Sequence, residues 1–121
     1  MKVLVDTNTW IADMREGEPG LQNLLLDGFV VTHPLVIEEL AAGNLPKRKE
    51  FLRLLSNLET LKPVTHREYL AFVEVRSLSG HGLGAVDLHL LASLVISPGV
   101  ALWTKDARLN LAATGLGVTC L

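Results

Sequence analysis

Met1-Lys2-Val3-Leu4-Val5-Asp6-Thr7-Asn8-Thr9-Trp10 is the stretch from which the fold can be read. Val3, Leu4 and Val5 form an apolar run with no polar alternation, the pattern of a strand covered on both faces, as in a parallel sheet between helices. The run stops at Asp6, and Thr7 or Asn8 can cap a helix that Trp10, Ile11 and Met14 continue. Asp6 is therefore expected at the carboxyl end of a first, central strand, where open α/β sheets place their ligand crevice. One aspartate there is equally well a simple helix cap, so the rest of the chain must supply what else reaches that edge.

Working outward, residues 15–20 read as a turn, with Pro19 suited to opening a helix whose apolar face is Leu21, Leu24 and Leu25. Phe29-Val30-Val31 is a second buried strand. Thr32 and Pro34 restart a helix carrying Leu35, Val36, Ile37 and Leu40, and Gly43 stops it. Residues 47–57 are amphipathic, and 61–64 read as a short edge strand, because Pro63 excludes a central one. Residues 66–78 are helical, 79–84 are a glycine loop, and 85–96 form a nearly all-apolar helix of the kind packed inside a layer. A buried strand at 100–103, a short helix at 106–113 and a last strand at 118–120 complete the order. The sum is one α/β domain of three layers, α/β/α, with a central, mostly parallel sheet of about five strands.

The composition of the 121 residues, 49% hydrophobic and 20% charged, is that of an ordinary globular domain and excludes a disordered chain. The longest apolar run, around 88–96, is interrupted by His89 and Ser93 and is too short to span a bilayer. No apolar leader follows Met1, so a cytoplasmic protein is expected. Cys120 is the only cysteine, which excludes an intrachain disulfide and a thiolate-rich zinc site.

Topology draws four acids to one edge. In right-handed βαβ units each helix after a strand starts at the carboxyl edge of the sheet. Asp6 ends the first strand, Glu39 lies in the second turn of the helix after the second, Asp87 in the first turn of the helix after the glycine loop, and Asp106 just beyond the fourth strand. Taken singly, each is more simply a cap or a surface charge; their convergence reverses that reading. Two such charges about 4 Å apart repel by roughly 4 kcal/mol at an effective dielectric near 20. Oxygen-only ligands of this kind suit Mg²⁺ or Mn²⁺, which keep waters and bind phosphates. Bound divalent ions would cancel the formal net charge of −2 and make a polyanionic substrate admissible.

Val3-Leu4-Val5-Asp6-Thr7-Asn8, Glu39-Leu40-Ala41-Ala42-Gly43, Ala85-Val86-Asp87-Leu88-His89 and Leu102-Trp103-Thr104-Lys105-Asp106, in this order, resemble the PIN-domain ribonucleases, and among them the VapC toxins of toxin–antitoxin pairs. The resemblance spans the whole chain. It implies a Mg²⁺- or Mn²⁺-dependent endoribonuclease in which Asp6, Glu39, Asp87 and Asp106 hold the metal and orient an attacking water. It selects Glu39 over Glu38, because the family glutamate precedes a leucine and stands four residues before a glycine. Asn8 and Thr104 look like the supporting polar residues of the family. The resemblance also implies an RNA substrate, a cognate antitoxin, a homodimer and no membrane.

Lys47, Arg48, Lys105 and Arg108 are the candidates to touch RNA phosphates, and a solvated helix face is the plainer reading of the first two. The four histidines lack ligand-like spacing. His89 lies about 200° round its helix from Asp87 and reads as packed. A receiver domain would need a phosphorylatable aspartate after the third strand, and a haloacid-dehalogenase-like phosphatase a second aspartate where Asn8 stands. The remaining alternative is a PIN fold that binds RNA or protein without cutting.

Overall fold

The computed structural model describes residues 1–121. Its sheet is all parallel: β1 (Lys2–Val5) pairs with β2 (Val30–Thr32) on one side and β4 (Val100–Trp103) on the other, and β3 (Glu59–Thr60) is the edge beyond β2. Val3, Leu4 and Val5 are buried, as a central strand between two partners requires. The edge strand falls two residues earlier than the 61–64 expected. Leu61 N–H still donates to the Thr32 carbonyl, but Pro63 has no N–H to extend the ladder. Of the last strand expected at 118–120, only one parallel bridge remains, between Leu102 and Cys120. The sheet therefore has four strands and the trace of a fifth.

Seven helices surround it: α1 (Thr7–Glu16), α2 (Leu21–Leu26), α3 (Pro34–Ala42), α4 (Arg48–Ser56), α5 (His66–Val75), α6 (Ala85–Val95) and α7 (Ala107–Gly115). Their ends are governed by caps. Asp6, rather than Thr7 or Asn8, caps α1, so those two residues lie inside the helix with their side chains free for other partners. His33 caps α3, its Nδ1 accepting from Leu35 N–H, and Pro34 occupies the first helical position where no donor is needed. Thr65 and Glu68 form a capping box on α5, which ends at Val75; Ser77, at φ +53°, turns the chain short of the 66–78 span expected.

α3 packs against α1, α4 and α6, and α5 against α6. The core gathers Leu4, Val5, Trp10, Leu40, Leu91, Leu102 and Leu109 around the sheet. His89 stacks on Tyr69 with ring centroids 4.1 Å apart, the packed role its helix position implied. Within the core, the Nε2–H of His33 donates to Ser93 Oγ, whose hydroxyl donates to the Lys62 carbonyl. Burial, with a smaller contribution from the charge of His89, pushes the His33 imidazole from 6.5 down to about 4.

Candidate active site

The carboxyl ends of β1 and β4 lie side by side, and everything polar there is wired to Asp6. Its Oδ1 accepts from Thr7 N–H at 2.7 Å, the cap of α1, and its Oδ2 accepts from the Thr104 hydroxyl at 2.7 Å. Thr104, just beyond β4, is itself buried, and its Oγ1 accepts from Asn8 Nδ2 and from Asp106 N–H, each at 3.1 Å. One hydroxyl thus uses its single donor and both acceptor positions to join three of the residues singled out in the sequence. Asn8 Oδ1 in turn accepts from Lys105 N–H.

The other acids arrive from three more helix starts. Glu39, on α3, accepts at Oε1 from the Thr7 hydroxyl at 2.7 Å. Asp87, in the first turn of α6, accepts at Oδ2 from Gly84 N–H. Asp106 caps α7, its Oδ1 accepting from Arg108 and Leu109 N–H. Asp6, Asp87 and Asp106 each accept from backbone N–H at a helix start, so the plain capping role and a place near the edge coexist in these side chains, whereas Glu39 caps nothing.

Electrostatics bind the four into one group. Burial raises the Asp6 carboxyl above its ordinary value; the hydrogen bonds from Thr104 and Thr7 offset part of this, and the charges of Glu39 and Asp106 add to the rise. Asp87 is raised first by burial and then by the charges of Asp6 and Asp106, against the bond from Gly84. Neither carboxylate has a protein cation beside it. The only ion pairs in the chain are Lys2 with Glu59 and Lys105 with Glu18.

A family model for the PIN domain matches residues 3–114. This chain belongs to the PIN-domain family. Two curated relatives, both Ribonuclease VapC32 from Mycobacterium tuberculosis (strains CDC 1551 / Oshkosh and H37Rv), are 47% identical to it over 116 residues, 96% of this chain and 94% of theirs. The crystal structure of PAE2754 from Pyrobaculum aerophilum superposes with a TM-score of 0.67 over 99% of this chain and 89% of its own, at 17% identity, a likeness of fold.

In this PIN domain the basic candidates meet different fates. Lys105 is drawn to Glu18 at 2.9 Å, pinning the α1–α2 turn. Arg48 donates to the Ala41 and Gly43 carbonyls and so closes the end of α3. Lys47, at φ +49°, precedes α4 in the same turn. Arg108 gives its backbone N–H to Asp106, while its guanidinium lies against Gly82 and pairs with no carboxylate. The residue that sequence reading missed is Thr7. Read only as a possible cap, it is the partner of Glu39, and its position one residue past a capping Asp6 was the signal.

The donor set available to a metal consists of carboxylate oxygens. No three of the acidic, histidine or cysteine side chains form a ready cage. Carboxylate oxygens are the ligand type that Mg²⁺ and Mn²⁺ take, ions that retain waters and use few protein carboxylates. A buried Asp6, its carboxyl raised further by the charge of half-buried Asp106 and with no protein counter-ion, is the environment a divalent cation stabilises.

Proposed function

We propose that this chain is a Mg²⁺- or Mn²⁺-dependent endoribonuclease, the toxin of a toxin–antitoxin pair, with Asp6, Glu39, Asp87 and Asp106 as its acidic site. The reading is supported by carboxylates near one sheet edge, with Asp6 raised by burial and then by the charges of Glu39 and Asp106, and Asp87 by burial and then by those of Asp6 and Asp106, in a PIN domain nearly half identical to a protein named a ribonuclease. A divalent ion bound there supplies the positive charge that polarises a water and neutralises the phosphodiester.

The protein side of the chemistry is positional. Asp6, fixed by Thr7 and Thr104 on its two oxygens, is the most immobile of the four and the natural metal ligand. Asp87 and Asp106 bring further ligand oxygens from α6 and α7. Glu39, exposed and held by one hydroxyl, is the acid freest to orient the attacking water and accept its proton. Asn8 and Thr104 keep the Asp6 carboxylate in place. A cognate antitoxin, a homodimer and a cytoplasmic site of action complete the reading on the strength of the VapC resemblance; the absence of any helix long and apolar enough to cross a membrane is consistent with it.

The test is incubation of the purified, antitoxin-free chain with labelled total RNA in Mg²⁺, Mn²⁺ or EDTA, beside an Asp6→Asn control. Fragments that require the metal and vanish in the variant establish the nuclease, and their ends identify the substrate. A folded protein that neither cuts RNA nor binds Mn²⁺ overturns the reading and leaves a binding module.

A further inference from the structure

We propose that a cavity between the α5–α6 loop and α7 holds one nucleotide of the RNA strand beside the scissile phosphate, with Arg76 and Arg108 on its phosphate. The inference rests on the ribonuclease reading and adds a subsite to it. The cavity measures about 440 Å³ and is lined by Arg76, His81, Leu83, Arg108, Leu111 and Leu116 among others, within the roughly 300–1,000 Å³ usual for small-ligand clefts. Its lining divides between two guanidinium groups with an imidazole, and leucine side chains. A nucleotide has the same division, an anionic phosphate and a flat base that packs on apolar surface.

Three observations connect this cavity to the acids. Arg108 stands two residues after Asp106, which accepts its backbone N–H. Leu83 directly precedes Gly84, whose N–H holds Asp87. Two lining residues of the cavity thus adjoin, along the chain, groups that bind two of the four carboxylates. Neither Arg76 nor Arg108 has a carboxylate partner, since the two ion pairs of the chain lie elsewhere. The arginine is also fitted to its place: a Cβ on Gly82, at φ +79°, would lie 2.6 Å from Arg108 Nη1, so a side chain there would displace the guanidinium. His81 Nε2–H donates to the Ser77 carbonyl and fixes the ring at the wall. A two-fold copy seated on this cavity would set unpaired guanidiniums against their own likeness, whereas an RNA phosphate pairs with them bidentately.

Arg76 is the discriminating position, because it follows α5 and adjoins none of the four acids in the chain. The measurement is anisotropy of a fluorescein-labelled, random-sequence single-stranded 12-mer RNA with the uncleaving Asp6→Asn protein, with and without Arg76→Gln, across a salt series. The expected result is a roughly tenfold weaker affinity and a salt slope shallower by about 0.7, the loss of one phosphate contact on a single strand. The same change in wild type should slow cleavage at low RNA and spare the rate at saturation. Unchanged affinity and slope overturn the proposal, as does a change confined to self-association in size-exclusion chromatography. If wild type neither cuts RNA nor binds Mn²⁺, the nuclease reading falls by those results, and the anisotropy still decides the cavity.

Discussion

The Thr104 hydroxyl donates to Asp6 Oδ2 at 2.7 Å while accepting from Asp106 N–H and Asn8 Nδ2. A residue 98 positions away from Asp6 in sequence thereby fixes the orientation of the most buried acid in the cluster. Thr104→Val keeps the shape and removes both functions of the hydroxyl. RNA cleavage should fall about 10–100-fold, the usual cost of losing a partner to a metal-binding carboxylate, and Thr104→Ser should restore most of it. The ratio of kcat/KM for the two variants checks this; equal activity of the valine and serine forms would contradict it.

Asp6→Asn should abolish cleavage and raise thermal stability in metal-free buffer. An acid whose folded pKa lies above its unfolded value binds its proton more tightly when folded. Its ionisation therefore costs stability, a cost absent below 3.8 and fully present above the folded value. The amide keeps the cap on Thr7 N–H without the charge. Melting curves at neutral pH in EDTA should place the variant above wild type.

Metal should act unequally on the two proteins. Mn²⁺ at a hundredfold excess over its Kd stabilises the wild type by about 2.7 kcal/mol. It should leave Asp6→Asn much less affected. Scanning calorimetry with and without Mn²⁺ measures the difference, and equal shifts would remove Asp6 from the ligand set.

His33 gives the fold a pH dependence independent of the acids. Its imidazole is neutral in the folded chain down to about 4 and protonates near 6.5 once unfolded. Between those values the unfolded state binds more protons, so stability is lost as pH falls from 6.5 to about 4, by on the order of 3 kcal/mol at most. Asp6 and Asp87 contribute with the contrary sign, so the comparison needs a variant. Urea titrations of wild type and His33→Asn over this range should show a flatter profile for the variant, which retains a capping side chain.

Arg48→Ala should cost roughly 0.5–1 kcal/mol by uncapping the last carbonyls of α3. Chemical denaturation at low and high salt reads both the loss and its screening.

Asp6 and Asp106 were placed on one edge in the sequence because each follows a strand that feeds a helix, and such junctions of parallel units share an edge; Glu39 and Asp87 were placed by their early positions in α3 and α6. Hydrophobic runs located β1, β2, β4 and α6 for the same reason. What escaped was set by tertiary partners. Glu59 and Thr60 are polar and exposed, and they form β3 only because Val31 and Thr32 offer an open ladder. The cap of α1 passed to Asp6 because Thr7 and Asn8 were claimed by Glu39 and Thr104, partners 32 and 96 residues distant.

The position of β4 beside β1 has a consequence for synthesis. β1 leaves the ribosome first, yet its second neighbour, and with it Thr104 and Asp106, is translated some 95 residues later. Until then Asp6 lacks the hydroxyl that orients it and the acid that completes its cluster. On the proposed site, a nascent chain would leave the RNA around it intact, and cutting capacity would arise only when nearly the whole domain has been made.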